Sequence, residues 1–456
     1  MLRKQPWLKP SSGFEFELQQ AADEGKDVSA FTERVKKILE MDEADLEKQN
    51  LVKAIYNEVQ SLPVMNGYKY SEPSDLGTIK VERPIGVELL SGTLPINEVL
   101  FDKIYGAWLG RCAGCLLGKP IEGWKRERIS GLLKETGNYP FKYYISSDIP
   151  EDVKRKYSVE NTGGAYGADL RSWINNIEYM PEDDDINYTI TGLKILQQYG
   201  RNFTPDDVAE CWLANLPILH VCTAERVAYR NIVDGIYPTE SAGFQNPFRE
   251  WIGAQIRADF FGYVTPGNPE LGAEFAWRDA AISHVKNGIY GEMFVAAMLS
   301  TAAVSNDIHE IIYSGLSQIP ARSRLAERIK LVLEWKKECI TWEQALDRIH
   351  AEYDEKNGHD WCHTISNAMI VCTGLLFGGL DFEKSISIAV LGAFDTDCNG
   401  ATVGSIIGMV LGVKALPAKW TAPLNDRVKS GVDGFGFVKI SDLVLKTIEI
   451  INKINQ

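Results

Sequence analysis

Apolar residues recur at helical spacing through most of the chain, and the strict alternation typical of strands is scarce. Two helical patterns lie near the start: Phe31, Val35, Ile38 and Leu39 form the first, and Leu51, Ile55, Val59 and Leu62 form the second. Pro63 ends the second predicted helix, because proline lacks the backbone donor that a helix needs. Residues 63–95 are rich in Gly, Pro, Ser and Asp, as connecting segments are. We therefore predict an N-terminal helical extension and linker over residues 1–95.

From about Leu100 onward the sequence becomes rich in glycine, alanine and tryptophan, and long apolar helical patterns dominate. Such patterns bury their apolar faces by packing helix on helix. The fold class that we predict is all-α, with one large single helical domain over residues 96–456 behind the extension. The length of 456 residues permits such a domain, since a chain of this mass buries roughly three-quarters of its unfolded surface.

Two ladders of glycine at a spacing of four are the most informative pattern. The first contains Gly106, Gly110, Gly114 and Gly118, and the second contains Gly400, Gly404, Gly408 and Gly412. A spacing of four places each ladder along one side of a helix. Glycine inside a helix costs about 0.5–1 kcal/mol relative to alanine, so close contact between two helix backbones must offset the loss. We predict that the ladders face each other antiparallel, which brings Glu122 beside Asp395 and Asp397; packing alone is the simpler interpretation.

Charge and composition exclude several classes of protein and of binding partner. The chain has 48 Lys and Arg against 62 Asp and Glu, and this net charge of −14 argues against nucleic-acid and anionic-membrane partners. Eight cysteines are ordinary usage for an intracellular protein. The start has no apolar core of a secretory signal, and the longest apolar run, 401–416, is short for a membrane span. We expect a cytoplasmic protein with a small-molecule substrate and leave its oligomeric state open.

Two acidic clusters each precede a helical pattern. The first acidic cluster is Glu182, Asp183, Asp184 and Asp185, and the second is Asp395 and Asp397. One acid satisfies a helix cap, whereas four in a row repel one another, and hard carboxylate oxygens are the ligands that Mg²⁺ and Mn²⁺ require. The first cluster alone also fits a solvated acidic turn. Together the clusters predict one dinuclear site for two divalent cations, Mg²⁺ or Mn²⁺, which can orient a substrate and generate a hydroxide nucleophile.

Other residues that could bind a metal or a substrate give weaker evidence of function. Cys112 and Cys115 form a lone CxxC pair, which favours buried packing over a zinc site. Aromatic residues near glycines can stack on a base or line a sugar pocket, and this interpretation covers the GGAYG segment, with Gly163 and Tyr166, and Trp361.

The first ladder with Glu122 behind it, the acidic helix start at 182–185 and Asp395-Thr396-Asp397 with the second ladder together resemble the motifs of the ADP-ribosylglycohydrolase family. The resemblance covers roughly residues 101–415 and is that of a divergent branch. It implies an all-α fold with a binuclear Mg²⁺ or Mn²⁺ site at the base of a cleft. The implied activity is hydrolysis of an N- or O-glycosidic bond of ADP-ribose, or of a related riboside, by a metal-bound water.

The resemblance also implies roles for residues at matching positions. The metal ligands are Glu182, Asp183, Asp184, Asp395, Asp397 and Cys398. Asp184 or Asp397 orients or deprotonates the water, Glu122 is one candidate for the general acid, and His284 matches a histidine near the cleft. The chain departs from the family pattern at three positions: Glu182 and Cys398 stand where Thr is usual, and Cys115 stands where Asp is usual.

Three questions stay open at this level. The chain also fits a non-catalytic module that binds an ADP-ribose-like ligand. Asp183, Asp184 and Asn187 fit the aspartate-rich motif of a Mg²⁺-dependent terpenoid synthase-like enzyme, although that family does not need glycine ladders. The extension over 1–95 has two alternative roles, which are to cover the cleft or to mediate self-association.

Overall fold

The structure is a computed structural model that describes residues 6–85 and 97–454. These residues form 23 α-helices. The helices are α1 (Glu17–Asp23), α2 (Thr32–Leu39), α3 (Leu46–Gln60), α4 (Leu76–Val81), α5 (Asn97–Gly118), α6 (Arg126–Glu135), α7 (Glu151–Tyr157), α8 (Asp184–Tyr199), α9 (Pro205–Asn215), α10 (Thr223–Val233), α11 (Glu240–Gly243), α12 (Asp259–Tyr263), α13 (Pro269–Ala280), α14 (Asn287–Ala302), α15 (Ile308–Leu316), α16 (Arg324–Lys337), α17 (Trp342–Glu352), α18 (Gly358–Cys362), α19 (Thr364–Gly378), α20 (Phe382–Leu391), α21 (Thr396–Leu411), α22 (Ala418–Thr421) and α23 (Ile440–Ile454).

The prediction of an all-α fold is confirmed. Within the described ranges, the strands β1 (Arg427–Lys429) and β2 (Phe437–Lys439) form the only sheet, an antiparallel pair with Val428 opposite Val438. Strands of three residues are too short for alternation to reveal them in a sequence. Across the same ranges, no helix has the length and apolar character that crossing a membrane requires.

The N-terminal extension has a small hydrophobic cluster of its own, built from α1, α2, α3 and the turn that holds Phe14. Buried ion pairs attach it to the rest of the chain, because the Arg249 guanidinium contacts Glu17 at 2.7 Å and Glu24 at 2.6 Å. A charge this deeply buried requires such partners. The predicted boundary at 95/96 lies outside the described residues, so the division into two parts stays a prediction.

The segment 63–95 is more ordered than a plain linker. It contains α4, whose N-terminal cap is the Asp75 carboxylate accepting a hydrogen bond from the Thr78 amide at 2.8 Å. Ile79 of this helix is fully buried in the core of the main domain. The predicted connecting segment therefore contains a short helix of six residues. One buried apolar residue in a helix of this length gives no detectable periodicity.

Helices α5 and α21 form the central pair of the main domain, and their glycines face each other as predicted. A Cβ built on Gly110 would lie 2.1 Å from the carbonyl oxygen of Gly404, and one on Gly114 would lie 1.9 Å from that of Gly400. Real Cβ atoms never come so close to a carbonyl, so a side chain larger than hydrogen would force the helices apart. The backbones are therefore in direct contact along the ladder.

The antiparallel register carries the contact to the ends of both helices. Gly412 lies just past α21 with φ 75°, so it caps the helix instead of forming a rung inside it. At the other end Gly118 faces Thr396, and a Cβ there would lie 2.4 Å from the Asp397 amide nitrogen. The Thr396 hydroxyl donates a hydrogen bond to the Gly118 carbonyl at 3.0 Å. This last contact fixes the start of α21 against the end of α5.

Candidate metal centre

Three carboxylates converge where the two glycine helices end. A short 3₁₀ turn, Lys119–Ile121, continues α5 and delivers Glu122, while Asp395 and Asp397 stand at the start of α21. One carboxylate oxygen from each of these three residues, here called the Glu122 triad, lies within 4.8 Å of the others. The predicted approach of Glu122 to Asp395 and Asp397 is confirmed. Asp397 Oδ1 is buried without a hydrogen-bond partner, which is the state of an atom that a cation would satisfy.

The electrostatics of the Glu122 triad fit a cation. The charge of Asp397, followed by burial, raises the pKa of Glu122, and burial together with Asp397 raises the pKa of Asp395. Burial and the nearby Asp183 raise the pKa of Asp397 to about 7. These shifts arise because like charges in a site poor in water disfavour ionisation. A divalent cation with oxygen ligands removes that penalty, so the residues present fit Mg²⁺ or Mn²⁺.

The first acidic cluster opens α8 but its members point in different directions. Asp183 is the N-terminal cap and accepts a hydrogen bond from the Asp185 amide at 3.0 Å. The Asp185 carboxylate instead contacts the guanidinium of Arg111 on α5 at 3.1 Å, and Arg111 reaches Asp259 at 2.9 Å on its other side. All three of these side chains are fully buried. Asp185 therefore has a permanent protein partner, which sequence reasoning did not predict.

Asp184 is half-buried and belongs to none of the close groups of metal-ligating side chains in the described residues. Burial and Asp183 raise the pKa of its carboxyl to about 6, although Lys119 and a hydrogen bond with Tyr166 act in the opposite direction. A carboxylate with that pKa is suited to accept a proton near neutral pH. This geometry suits the predicted catalytic role of Asp184 better than its predicted role as a ligand.

Lys119 also lies at the candidate centre, and the sequence analysis did not single it out. Its ammonium lies 2.5 Å from Asp183 Oδ2, with 6% and 1% of the two side chains exposed, and 5.2 Å from the centre of the Tyr166 ring. Burial alone would raise the pKa of Asp183, but the charge and the hydrogen bond of Lys119, with the hydrogen bonds from the Asp185 amide and Cys115, together outweigh it and lower the pKa. A lysine at a helix C-terminus normally suits the helix dipole, so its position gave no signal of a buried role.

Two predicted ligands lie in surroundings less suited to a hard cation. Glu182 Oε1 is 2.5 Å from His220 Nδ1 and accepts a hydrogen bond from Asn187 at 3.1 Å. Cys398 Sγ lies within 4.8 Å of Asp185 and Asp397 oxygens, but burial and the charge of Asp185 raise the pKa of its thiol. A neutral thiol is a weak ligand for Mg²⁺ or Mn²⁺. Both assignments stay predictions that this geometry does not support.

Two cavities share Lys119 in their walls, and the smaller of them also contains Glu122 of the triad. One of about 330 Å³ is lined by Tyr166 and Glu182 among others, and one of about 210 Å³ is lined by Glu122 and Gly163 among others. Gly163 and Tyr166, predicted as substrate contacts, therefore lie at the cavities. None of the described extension residues 6–85 lines either cavity, and the role of the extension stays open.

The other two predicted substrate contacts lie elsewhere. His284 is fully buried, with Nδ1 2.9 Å from the Ser283 hydroxyl and Nε2 4.0 Å from Glu225, and it lines neither cavity. Its place just before α14 packs it inside the core, so the geometry does not support a substrate contact. Trp361 also lines neither cavity; its carbonyl accepts a hydrogen bond from Asn367, which in turn accepts one from the Asp395 amide at 3.1 Å.

A second close group of potential ligands, Asp23, His359 and His363, joins the extension to the main domain. The Trp251 indole donates to His359 Nδ1 at 3.2 Å, and the Ile365 amide donates to His363 Nδ1 at 3.1 Å. Nδ1 of each ring is therefore an acceptor, and His359 Nε2 donates to Asp23 at 3.0 Å. This group is a hydrogen-bond cluster, because a metal needs a free lone pair at the nitrogen that it binds.

The chain combines an all-helical domain with a group of carboxylates where two glycine-rich helices meet. Comparison with known proteins identifies the class of protein to which this combination belongs. The model of the ADP-ribosylglycohydrolase family matches residues 97–447, so the chain belongs to that family. The resemblance stated above is confirmed, and membership supports a function of glycohydrolase type.

Individual relatives are distant. An uncharacterized protein of Archaeoglobus fulgidus is 23% identical over 335 residues, which are 72% of this chain and 92% of that protein. A solved structure described as an ADP-ribosylglycohydrolase-related protein complex is 18% identical, with a TM-score of 0.44, and the match covers 78% of this chain and 99% of that one.

Proposed function

We propose that the protein is a metal-dependent hydrolase that cleaves an N- or O-glycosidic bond at the anomeric carbon of ADP-ribose or a related riboside. The observation that carries the proposal is the Glu122 triad, whose oxygens lie within 4.8 Å of one another while Asp397 Oδ1 has no partner. Asp395 and Asp397 are buried, and buried carboxylates so close together are stable only when a proton or a cation compensates them, while the third member, Glu122, is exposed. Family membership supports the glycosidic bond as the target.

The Glu122 triad would hold a divalent cation, Mg²⁺ or Mn²⁺, through oxygen ligands that suit either ion. When bound, such a cation supplies Lewis acidity and lowers the pKa of water toward neutrality. The glycine ladder positions the ligands, because the close contact of Gly118 with Thr396 holds the backbone beside Asp397 in place.

Asp184 is the proton acceptor in this proposal. Its side chain is half-buried and its pKa is raised to about 6 by burial and Asp183, so it accepts the proton of the attacking water. Glu122 acts as a ligand of the cation, which keeps its carboxylate ionised, so the proton for the leaving nitrogen or oxygen comes from another group. The remaining carboxylates stabilise the positive charge that develops at the anomeric carbon in the transition state.

The larger cavity can take a substrate that carries both charged groups and a ring. Its walls contain the cationic side chains Arg171 and Lys429 and the aromatic rings of Tyr166 and Tyr179, together with Lys119, which is paired with Asp183, and the acids Asp169, Glu178 and Glu182. Arginine and lysine bind phosphate oxygens, and an aromatic face stacks on a sugar or a base. ADP-ribose has this combination of groups, and so do other phosphorylated ribosides.

The terpenoid synthase-like alternative is disfavoured by the environment of Asn187. Its Nδ2 donates to Glu182 at 3.1 Å, and its Oδ1 accepts from the Ser430 hydroxyl and the Gly431 amide, both at 2.9 Å. Both lone pairs of the amide oxygen are therefore used within the protein. An aspartate-rich motif that needs this residue as a Mg²⁺ ligand lacks its third member.

The test is a hydrolysis screen against N- and O-linked ribosides with added Mg²⁺ or Mn²⁺, read by mass spectrometry. We expect free ribose-type product from the wild type and a loss of about 100-fold or more in Asp397→Asn. Asp234→Asn, an exposed acid after α10, is the control and keeps full activity. Full activity of Asp397→Asn would contradict the proposal. Ligand binding without product over hours would favour the binding module, and release of diphosphate from prenyl substrates would favour the synthase.

A further inference from the structure

We propose that the ammonium of Lys119 takes the place of one of the two cations of a dinuclear centre, so that this chain binds a single divalent cation. The inference rests on the metal centre proposed above and concerns how its negative charge is divided. It differs from the expectation of two cations that the sequence motifs give.

The Lys119 ammonium and the Asp183 carboxylate form a closed pair. Lys119 Nζ lies 2.5 Å from Asp183 Oδ2, and the other oxygen, Oδ1, accepts the Asp185 amide at 3.0 Å. The two side chains are 6% and 1% exposed, so water does not compete for either partner. Both oxygens of Asp183 are therefore engaged within the protein. The charge-assisted hydrogen bond from the ammonium occupies the carboxylate oxygen that a metal ion would otherwise bind.

The rest of the first acidic cluster is also largely engaged by protein groups. Asp185 pairs with Arg111 at 3.1 Å, and Glu182 contacts the His220 ring at 2.5 Å. Only Asp184 of this cluster has neither a cationic partner nor a histidine within salt-bridge distance in the described residues. Protein partners thus occupy the side of the centre that opens α8.

The opposite side of the centre has no such compensation. No lysine, arginine or histidine of the described residues forms a salt bridge with Glu122, Asp395 or Asp397, and Asp397 Oδ1 has no hydrogen-bond partner. The carboxylates that need a cation are therefore gathered in the Glu122 triad alone. Three carboxylates form a sufficient set for one ion with oxygen ligands and leave its remaining positions to water or substrate.

The position of the ammonium is fixed by the backbone contact between the ladders. Lys119 follows Gly118 directly, and a Cβ on Gly118 would lie 2.3 Å from the Thr396 carbonyl. The Tyr166 ring lies over the ammonium at 5.2 Å from its centre, which is a favourable cation–π distance. A second dication beside this charge would be repelled in a site of low dielectric constant. The soft Cys398 thiol, near Asp185 and Asp397, does not compensate as a ligand for a hard ion.

The experiment measures how many Mn²⁺ ions each full-length chain binds, by equilibrium dialysis with elemental analysis and by electron paramagnetic resonance. We expect one ion, without spin coupling, in the wild type. Lys119→Met, which keeps the length of the side chain and removes its charge, should bind a second ion and show spin coupling, and should bind its first ion at least about tenfold more tightly. Lys119→Arg keeps the charge and should retain one ion.

Lys134→Met is the matched control, because Lys134 also lies over an aromatic ring, that of Tyr139 at 4.9 Å, and is exposed. It should bind Mn²⁺ as the wild type does. Two coupled ions in the wild type would overturn the inference and leave the proposed hydrolase intact. A Lys119→Met protein that is folded by circular dichroism and still binds one ion would also overturn it. No Mn²⁺ binding by the wild type would remove the proposed metal centre together with the inference.

Discussion

Replacement of one ladder glycine by alanine isolates the backbone contact on which the metal centre depends. In Gly110→Ala the new Cβ would start 2.1 Å from the Gly404 carbonyl oxygen, whereas real contacts of this kind are at least 3.0 Å long. The two helices must therefore separate by about 0.9 Å at this level. The opposing atom belongs to a helix backbone, so no change of rotamer can relieve the clash.

The expected size of the effect is the difference between two opposing terms. Alanine is a better helix former than glycine and gains about 0.5–1 kcal/mol. Overpacking in a well-packed core costs about 1–3 kcal/mol, and a rigid backbone neighbour places this case at the upper end. We expect Gly110→Ala to lower the free energy of unfolding by about 2 kcal/mol. A change of this size is a large fraction of the stability of a domain.

The assay is urea denaturation followed by circular dichroism, with Gly77→Ala as the matched control. Gly77 is an exposed residue of α4, and a Cβ there meets nothing closer than Asp75 Oδ1 at 3.5 Å, so this variant should gain about 0.5–1 kcal/mol. Adding Gly404→Ala to Gly110→Ala should cost less than the sum of the two single changes, because both open the same contact. Equal stability of Gly110→Ala and Gly77→Ala would refute the argument.

Three further predictions concern the centre and its supports. Gly118→Ala, whose Cβ would lie 2.4 Å from the Asp397 amide, should weaken Mn²⁺ binding by roughly 10–100-fold in calorimetry, and unchanged affinity would contradict the positioning role. In the metal-free protein burial and its neighbours raise the pKa of Asp397 from 3.8 to about 7, so its contribution to stability is present below about pH 4 and lost as the pH rises through about 7. Asp397→Asn should therefore flatten the fall in stability over that interval, by on the order of 4 kcal/mol, in unfolding curves taken as a function of pH; an unaltered profile would show that the shift is absent. Arg111→Met removes the partner of two buried acids and should cost about 3–5 kcal/mol in urea denaturation, whereas Arg34→Met, in an exposed pair, should cost far less, and similar losses in the two would count against the buried network.

The features that could be predicted from the sequence are those encoded by the spacing of residues within a single helix. Glycine at every fourth position is improbable in a helix unless another backbone lies against it, so the facing ladders followed from the chain alone. The order of the motifs then placed Glu122 beside Asp395 and Asp397, since antiparallel helices bring the end of one to the start of the other. The structure bears out this step because it depends only on helix geometry.

The parts that the sequence did not predict depend on the direction of single side chains. Consecutive residues at a helix start point about 100° apart, so four adjacent acids cannot all face one ion. Asp183, Asp185 and Glu182 accordingly have three different partners. Lys119 was missed for the same reason, because its sequence position gives its charge but not the acid that it reaches, 64 residues further along the chain.

The pairing of α5 with α21 has a consequence for the folding of the protein during its synthesis on the ribosome. The four glycines of α5 make it a poor helix by itself, and its partner is synthesised about 280 residues later. At ordinary rates of translation, roughly 15–60 s pass between the synthesis of α5 and that of α21, the helix against which it packs. Its Trp108, Leu116 and Leu117 side chains, fully covered in the finished domain, are exposed in that interval and are a natural target for chaperones.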